Sequence, residues 1–181
     1  MRCLILSGVV LLAASIANAA TLNVVGGELL GASGVDVGGT LYNVEFLDGT
    51  CIDLYNGCDD SSDFTFNTRD NAELASVALL REVFTGVFDT EIELTNGCSS
   101  EIRCWAITPY RRSGDFVDTG NAINSADGIW RIQTAIRDPE SDTTPYIDTV
   151  YAVWSPVPEP GTAILMGLGL TGLEARRRAT H

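Results

Sequence analysis

The sequence predicts an α+β, mainly β fold: a single domain with a largely antiparallel sheet and one amphipathic helix, enclosed between two targeting segments. Short stretches of alternating apolar residues outnumber helical stretches by about six to one, which favours strands. Only residues 70–84 have the 3.6-residue period of a helix. The two strongest apolar runs lie near the chain ends, at residues 4–12 and 162–173. A length of 181 residues accommodates one such domain together with terminal signals.

The first 19 residues are typical of a secretory signal peptide. Arg2 gives a positive start, residues 4–12 form an apolar stretch, and Ala17-Asn18-Ala19 is a small-residue cleavage site. The apolar stretch is too short to span a bilayer stably. We therefore expect export through the inner membrane into an oxidising compartment, with a secreted acidic β-rich domain at residues 20–154.

Six short segments of this domain alternate apolar and polar residues between turns, as expected for strands joined by tight connections. Trp105, Trp130 and Trp154 each fall in one of the last three segments, and we expect them to anchor the core. The predicted strands are residues 22–25, 40–47, 63–67, 102–108, 128–136 and 146–154.

One helix is predicted over residues 70–84. Asp70 is the expected N-cap, and Glu73 three positions later completes a capping-box pattern. Apolar residues cover more than half of the helix surface, so a broad face should pack against the sheet. Gly86 is expected to end the helix.

The composition excludes several classes of function. The chain has 11 arginines, no lysine and 24 acidic residues, for a net charge of −13, and residues 20–157 alone carry seven arginines against 22 acids, or −15. Such a surface cannot neutralise a run of phosphates, so no nucleic-acid partner is expected. The only histidine is His181, which leaves the domain no imidazole for a Ser-His-Asp triad or a His-ligated zinc. The lack of lysine excludes Schiff-base chemistry.

A cluster of acidic residues supplies oxygen atoms of the kind that Ca²⁺ prefers. Their spacing differs from that of a helix-loop-helix calcium loop, and such clusters are commonly solvated turns. We therefore expect no metal or other cofactor, with Ca²⁺ at this loop as the alternative. The candidate ligands are Asp53, Asp59, Asp60 and Asp63.

Four cysteines remain once Cys3 leaves with the signal peptide, and they permit three pairings. Local pairing of Cys51 with Cys58, and of Cys98 with Cys104, is favoured because each pair brackets or abuts a turn that can bring its Cα atoms into disulfide range. Crossed pairings and a four-cysteine zinc site are the alternatives. The spacings C-x₆-C and C-x₅-C are wider than those of a usual zinc knuckle.

Catalysis by the domain could rest only on carboxylates, and the nominal candidates are Glu45, Asp48, Glu91 and Glu93. The sequence gives no sign that two of them meet across a cleft, so we expect that the protein is not an enzyme. Two alternatives stay open. One is a small carboxylate-dependent hydrolase of extracellular polysaccharide, and the other is a carbohydrate-binding module that uses exposed Trp or Tyr.

Residues 155–181 are predicted to be a sorting tail. A helix over the apolar residues 161–173 would be about 20 Å long against a hydrocarbon core of about 30 Å, so it should be a short, transient transmembrane anchor. The arginine cluster should hold its end on the cytoplasmic side of the inner membrane. In order, the tail comprises the linker Ser155-Pro156-Val157, the motif Pro158, Glu159 and Pro160, the apolar stretch, and Arg176, Arg177 and Arg178.

The motif, the apolar stretch and the arginine cluster together resemble the PEP-CTERM sorting signal of Gram-negative bacteria that make exopolysaccharide. Glu174 departs from the family pattern because it places an acid between the apolar stretch and the arginines. In that family an exosortase in the membrane recognises and processes the signal. The resemblance implies exosortase as a partner, an association with exopolysaccharide or biofilm, and a cell-surface or extracellular location after processing. We thus expect an envelope or matrix protein whose body binds or scaffolds.

Overall fold

The computed structural model describes residues 19–129 and 131–158, which form one seven-stranded sheet covered on both faces. The strand order across the sheet is β1-β2-β3-β7-β4-β5-β6. The strands are β1 (Thr21–Val25), β2 (Glu28–Val37), β3 (Thr40–Leu47), β4 (Arg103–Ser113), β5 (Phe116–Ser125), β6 (Arg131–Arg137) and β7 (Thr149–Pro156).

The last strand lies in the middle of this sheet. β7 pairs with β3 in the antiparallel direction and with β4 in the parallel direction, and all other neighbours are antiparallel. The prediction of a mainly β fold with a largely antiparallel sheet is therefore confirmed, and the sheet is mixed because of the single parallel pair. The alternation of directions places the start of β1 and the end of β7 at the same end of the sheet.

One face of the sheet is covered by a helix. α2 (Arg69–Ala78) follows a short helical turn, α1 (Cys51–Leu54), and continues as a π-helical turn over Leu79–Val83. Small residues let α2 approach the sheet closely: a Cβ on Gly120 of β5 would lie 3.1 Å from the Cβ of Ala72. Three 3₁₀ turns complete the connections, at Ser61–Asp63, Gly86–Asp89 and Ile92–Leu94.

The core is divided by the sheet into two clusters. The larger cluster lies under α2, and Phe46 stacks on Phe84 within it at a centroid distance of 5.4 Å. The smaller cluster lies on the opposite face, where the segment that contains α1 places Tyr55 and Phe64 against Tyr151 of β7. The hydroxyl of Tyr55 donates a hydrogen bond to the carbonyl of Ala152 (2.9 Å).

The predicted helix cap is wrong. The helix begins at Arg69 with Thr68 as its N-cap, and the Thr68 hydroxyl accepts a hydrogen bond from the backbone N–H of Asn71. Asp70 lies in the first turn, and Glu73 pairs with Arg69 at 2.7 Å instead of closing a capping box. Regular α-helix ends at Ala78, well before Gly86, because the chain widens into the π turn.

The predicted set of strands needs several corrections. Residues 63–67 are not a strand: the segment buries Phe64 and Phe66 against the sheet without joining it. The sequence pattern does not predict β2 and β5, because glycines interrupt the apolar pattern of β2 and polar residues fill β5. β7 runs to Pro156, so the sheet extends into the predicted linker.

Both predicted targeting segments lie almost wholly outside the described residues. Of the predicted signal peptide, residues 1–19, only the last residue is described, and the apolar stretch at residues 161–173 is not described either. Within residues 19–129 and 131–158, no helix has the length and hydropathy needed to cross a membrane.

Candidate functional sites

The chain leaves the sheet immediately before the predicted sorting motif. Pro156 lies opposite Tyr42 of β3, and the N–H of Val157 donates a hydrogen bond to the carbonyl of Leu41 (3.0 Å). Pro158 is exposed and is the last residue described. The rest of the predicted motif, Glu159, Pro160, Arg176, Arg177 and Arg178, lies outside the described residues. Backbone pairing therefore continues up to the residue before the motif.

An aromatic cluster holds this end of β7 in place. The Phe66 ring packs against Tyr42 (5.0 Å between centroids) and against Trp154 (5.5 Å). The indole N–H of Trp154 donates to the hydroxyl of Thr108 (3.1 Å), while the hydroxyl of Thr65 donates to the Trp154 carbonyl (2.6 Å). Trp154 is buried as a core anchor, in agreement with the prediction. The end of β7, where the chain leaves the sheet, is therefore held by ring packing and hydrogen bonds.

The described residues contain two disulfides, in the local arrangement that the sequence favours. Cys51 pairs with Cys58 and Cys98 pairs with Cys104, each with Cα atoms 5.7 Å apart. The first closes the loop that carries α1 over the sheet. The second disulfide links the segment before β4 to the start of that strand, because Cys104 is the second residue of β4. All four of these cysteines are buried.

The acidic loop satisfies its own backbone. The Asp63 carboxylate accepts hydrogen bonds from the N–H groups of Asp59 (3.1 Å) and Asp60 (3.0 Å), and Asp60 accepts one from the N–H of Ser62 (2.8 Å). These backbone hydrogen bonds lower the pKa of both Asp60 and Asp63. The Asp53 carboxylate accepts a hydrogen bond from the Thr50 hydroxyl, and the Asp53 N–H donates one to that same hydroxyl oxygen. Among the described residues, no group of three or more potential ligands is placed to hold a metal ion.

The acids nominated for hydrolysis do not lie on one element. Glu45 lies on β3, Glu91 directly precedes the 3₁₀ turn at Ile92–Leu94, and Glu93 lies within that turn. Asp48 follows β3 and accepts a hydrogen bond from the Thr143 hydroxyl (2.9 Å). Burial raises the pKa of Asp48; the bond from Thr143 opposes the shift and the charge of Asp142 adds to it. The acid whose charge raises the pKa of Asp48 is thus Asp142, which is not one of the four candidates for catalysis.

A cleft of about 440 Å³, a volume within the range of ligand pockets, opens on the sheet face opposite α2. Its floor is formed by Trp105 of β4, Ile123 of β5 and Gln133 of β6, and its walls by the residues around Glu101 and Asp127. Trp105 is only half-buried, unlike Trp154, while Trp130 lies outside the described residues.

The sequence does not mark this cleft as a site, because its residues come from three strands and two turns. The alternation of β4 could have indicated that Arg103 and Trp105 share a face. Their pairing is direct: the Arg103 guanidinium lies 5.6 Å from the centre of the indole ring. Identifying their neighbours on β5 and β6 requires knowledge of the strand register.

Comparison with known proteins identifies the tail. Residues 156–178 match the family model described as the PEP-CTERM protein-sorting motif. No curated protein and no solved structure shows significant similarity to the chain. The matched segment begins at Pro156, within β7, so the sorting motif and the sheet overlap.

Proposed function

We propose that this chain, whose residues 156–178 match the PEP-CTERM protein-sorting motif, is exported across the membrane, processed by an exosortase and sorted to the cell surface. Its body is then a non-catalytic binding or scaffolding unit of the envelope or extracellular matrix. The unit comprises residues 20–154 and acts in association with exopolysaccharide or biofilm. The observation that carries the proposal is the sorting motif joined directly to a rigid, disulfide-bonded sheet.

The anchor in this proposal is transient. The apolar residues 161–173 hold the exported body at the inner membrane until exosortase cleaves the tail, with Arg176, Arg177 and Arg178 on the cytoplasmic side. The body carries a net charge of −15, which keeps it soluble and separated from anionic surfaces once it is released.

The sorting step is tested by mass spectrometry of protein from the native host. We expect the mature protein to lack both residues 1–19 and Arg176–Arg178, and Glu159→Ala to leave a longer precursor in the membrane fraction. Deletion of residues 161–181 should release a folded body into the periplasm or medium. Mature protein that still contains the arginine cluster would contradict processing.

The binding role is tested by fractionation and by assay for hydrolysis. We expect the processed protein to co-purify with the extracellular matrix, and the purified body to release no reducing ends from the host's polysaccharide. Production of reducing ends that Asp48→Asn abolishes would instead support the hydrolase alternative, because Asp48 is the nominated acid whose pKa is raised by burial.

A further inference from the structure

The cleft over Trp105 combines an apolar floor with polar groups in its walls. The indole and the Ile123 side chain give the floor apolar surface, and the amide of Gln133 is exposed beside them. Six of the ten residues that line the cleft are polar or charged, so hydrogen-bonding groups surround an aromatic surface. An aromatic ring next to planar amide and guanidinium groups matches a ligand that has both apolar and hydroxyl-bearing surfaces.

The charges of the cleft are balanced and fixed. Arg131 donates to Asp127 at 2.9 Å and to the Ser125 hydroxyl at 3.2 Å, and Arg103 donates to Asp148 at 3.0 Å. Each guanidinium is therefore paired with an acid of the same region, which neutralises its charge. The surrounding body, at −15, repels anionic polymers. An uncharged ligand suits this site.

We infer that the Trp105 cleft binds a neutral saccharide, with the Arg103–Trp105 stack packing against the sugar ring and the Gln133 amide forming hydrogen bonds with its hydroxyls. A hydroxyl both donates and accepts hydrogen bonds, so it can satisfy either pole of an amide. This inference rests on the proposed binding role of the body and names the class of its ligand.

The test uses processed protein from the host in titration calorimetry with neutral hexasaccharides of glucose, mannose and N-acetylglucosamine. We expect saturable binding of at least one of them. Trp105→Ala should weaken it about tenfold or more, and Gln133→Ala, a change at an exposed strand position that should not disturb folding, should weaken it several-fold. Phe116→Ala, at an equally aromatic but distant exposed position at the start of β5, is the matched control and should leave the affinity unchanged.

Three results would overturn the inference. The first is that no neutral hexasaccharide binds at concentrations up to about 10 mM. The second is that only an alginate hexamer, which is anionic, binds. The third is binding that neither Trp105→Ala nor Gln133→Ala alters. The mass of the same preparation separates this inference from the proposed function. A correctly processed protein that binds no sugar contradicts only the saccharide site, whereas an unprocessed tail contradicts the sorting proposal.

Discussion

At the scale of single residues, the fold depends on positions where the backbone leaves no room for a side chain. Gly31 of β2 is the most constrained: it has φ of +154°, and a Cβ at this position would lie 2.1 Å from the carbonyl oxygen of Val44 in the paired strand. Because the obstacle is backbone, the clash can be relieved only by separating β2 from β3.

Gly31→Ala should therefore destabilise the protein by about 3 kcal/mol, at the upper end for overpacking of a core. Chemical denaturation with urea measures the change. Gly34→Ala is the control, since Gly34 also has positive φ (+72°) but a Cβ added there would meet no atom within 4 Å. Equal losses in the two variants would show that backbone conformation, and not the contact with Val44, sets the cost.

The loop around Asp63 should make the stability of the protein depend on pH in acid. Backbone hydrogen bonds hold the pKa of Asp63 and Asp60 below the ordinary value of 3.8, so in acid the unfolded chain binds protons before the folded chain does. The stabilisation is complete above about pH 4 to 5 and is lost as the pH falls through the depressed folded values.

The thermal midpoint of the wild type should accordingly exceed that of Asp63→Asn by a constant margin near neutral pH, and the margin should shrink below about pH 4. Scanning calorimetry between about pH 6 and 2.5 makes the comparison. Asp115→Asn, a change in the exposed β4–β5 turn, should follow the wild type throughout. A margin independent of pH would mean that the Asp63 carboxylate does not act through its charge.

At the scale of elements, what the sequence reveals depends on whether the pattern is local. The predicted bounds of β3 match the observed ones, because Tyr42, Val44 and Phe46 alternate without interruption. β5 escapes prediction because polar residues fill it, and two of them are paired outside the strand: Asp118 pairs with Arg111, and the Asn124 amide donates to the Phe88 carbonyl (2.7 Å). Such partners are invisible in a hydropathy pattern.

The helix start shows the same limit. Thr68 and Asp70 are both good N-cap residues, and the sequence alone favours the one with an acid three positions later. The contact of Ala72 with Gly120 positions the first turn on the sheet, and that contact is tertiary. For the sites, the sorting motif is recognisable because its parts are contiguous, whereas the Trp105 cleft is assembled from separate strands.

The Cys51–Cys58 disulfide should stabilise the fold by restricting the unfolded chain. Cys51 and Cys58 close a loop of eight residues, for which the chain-entropy model gives about 2.5 kcal/mol of stabilisation. The double variant Cys51→Ala/Cys58→Ala should lose about that much in urea denaturation, and non-reducing peptide mapping of the wild type should recover the two local links. A linked peptide that joins the Cys51 loop to Cys98 or Cys104 would falsify the pairing.

At the scale of the whole molecule, the topology determines how the body meets the machinery that processes it. The start of β1 and the end of β7 lie at one end of the sheet, which we call its pole. The predicted signal peptide and the sorting motif therefore both connect to this pole. β7 is a central strand, held by β3 on one side and β4 on the other. Whatever enzyme acts on the motif must therefore approach this pole closely.

The distance available to that enzyme is short. Among the described residues, the last backbone hydrogen bond along the chain joins Val157 to Leu41. Glu159 follows two residues later in the sequence, within about 7 Å of chain at full extension. A protease that binds its substrate as an extended segment must then either contact the pole of the sheet or open the final pairs of β7 with β3. The folded body should consequently slow the processing of its own tail.

Inserting Gly-Ser-Gly-Ser between Val157 and Pro158 should therefore speed processing several-fold, because the added chain moves the motif away from the aromatic cluster that holds β7. Pulse-chase immunoblotting of precursor and product in the native host measures the rate. The same four residues inserted between Gly114 and Asp115, at the exposed β4–β5 turn, control for chain length and should leave the rate unchanged. If the insertion before Pro158 slows processing instead, the pole of the sheet assists the enzyme and is part of the recognised substrate.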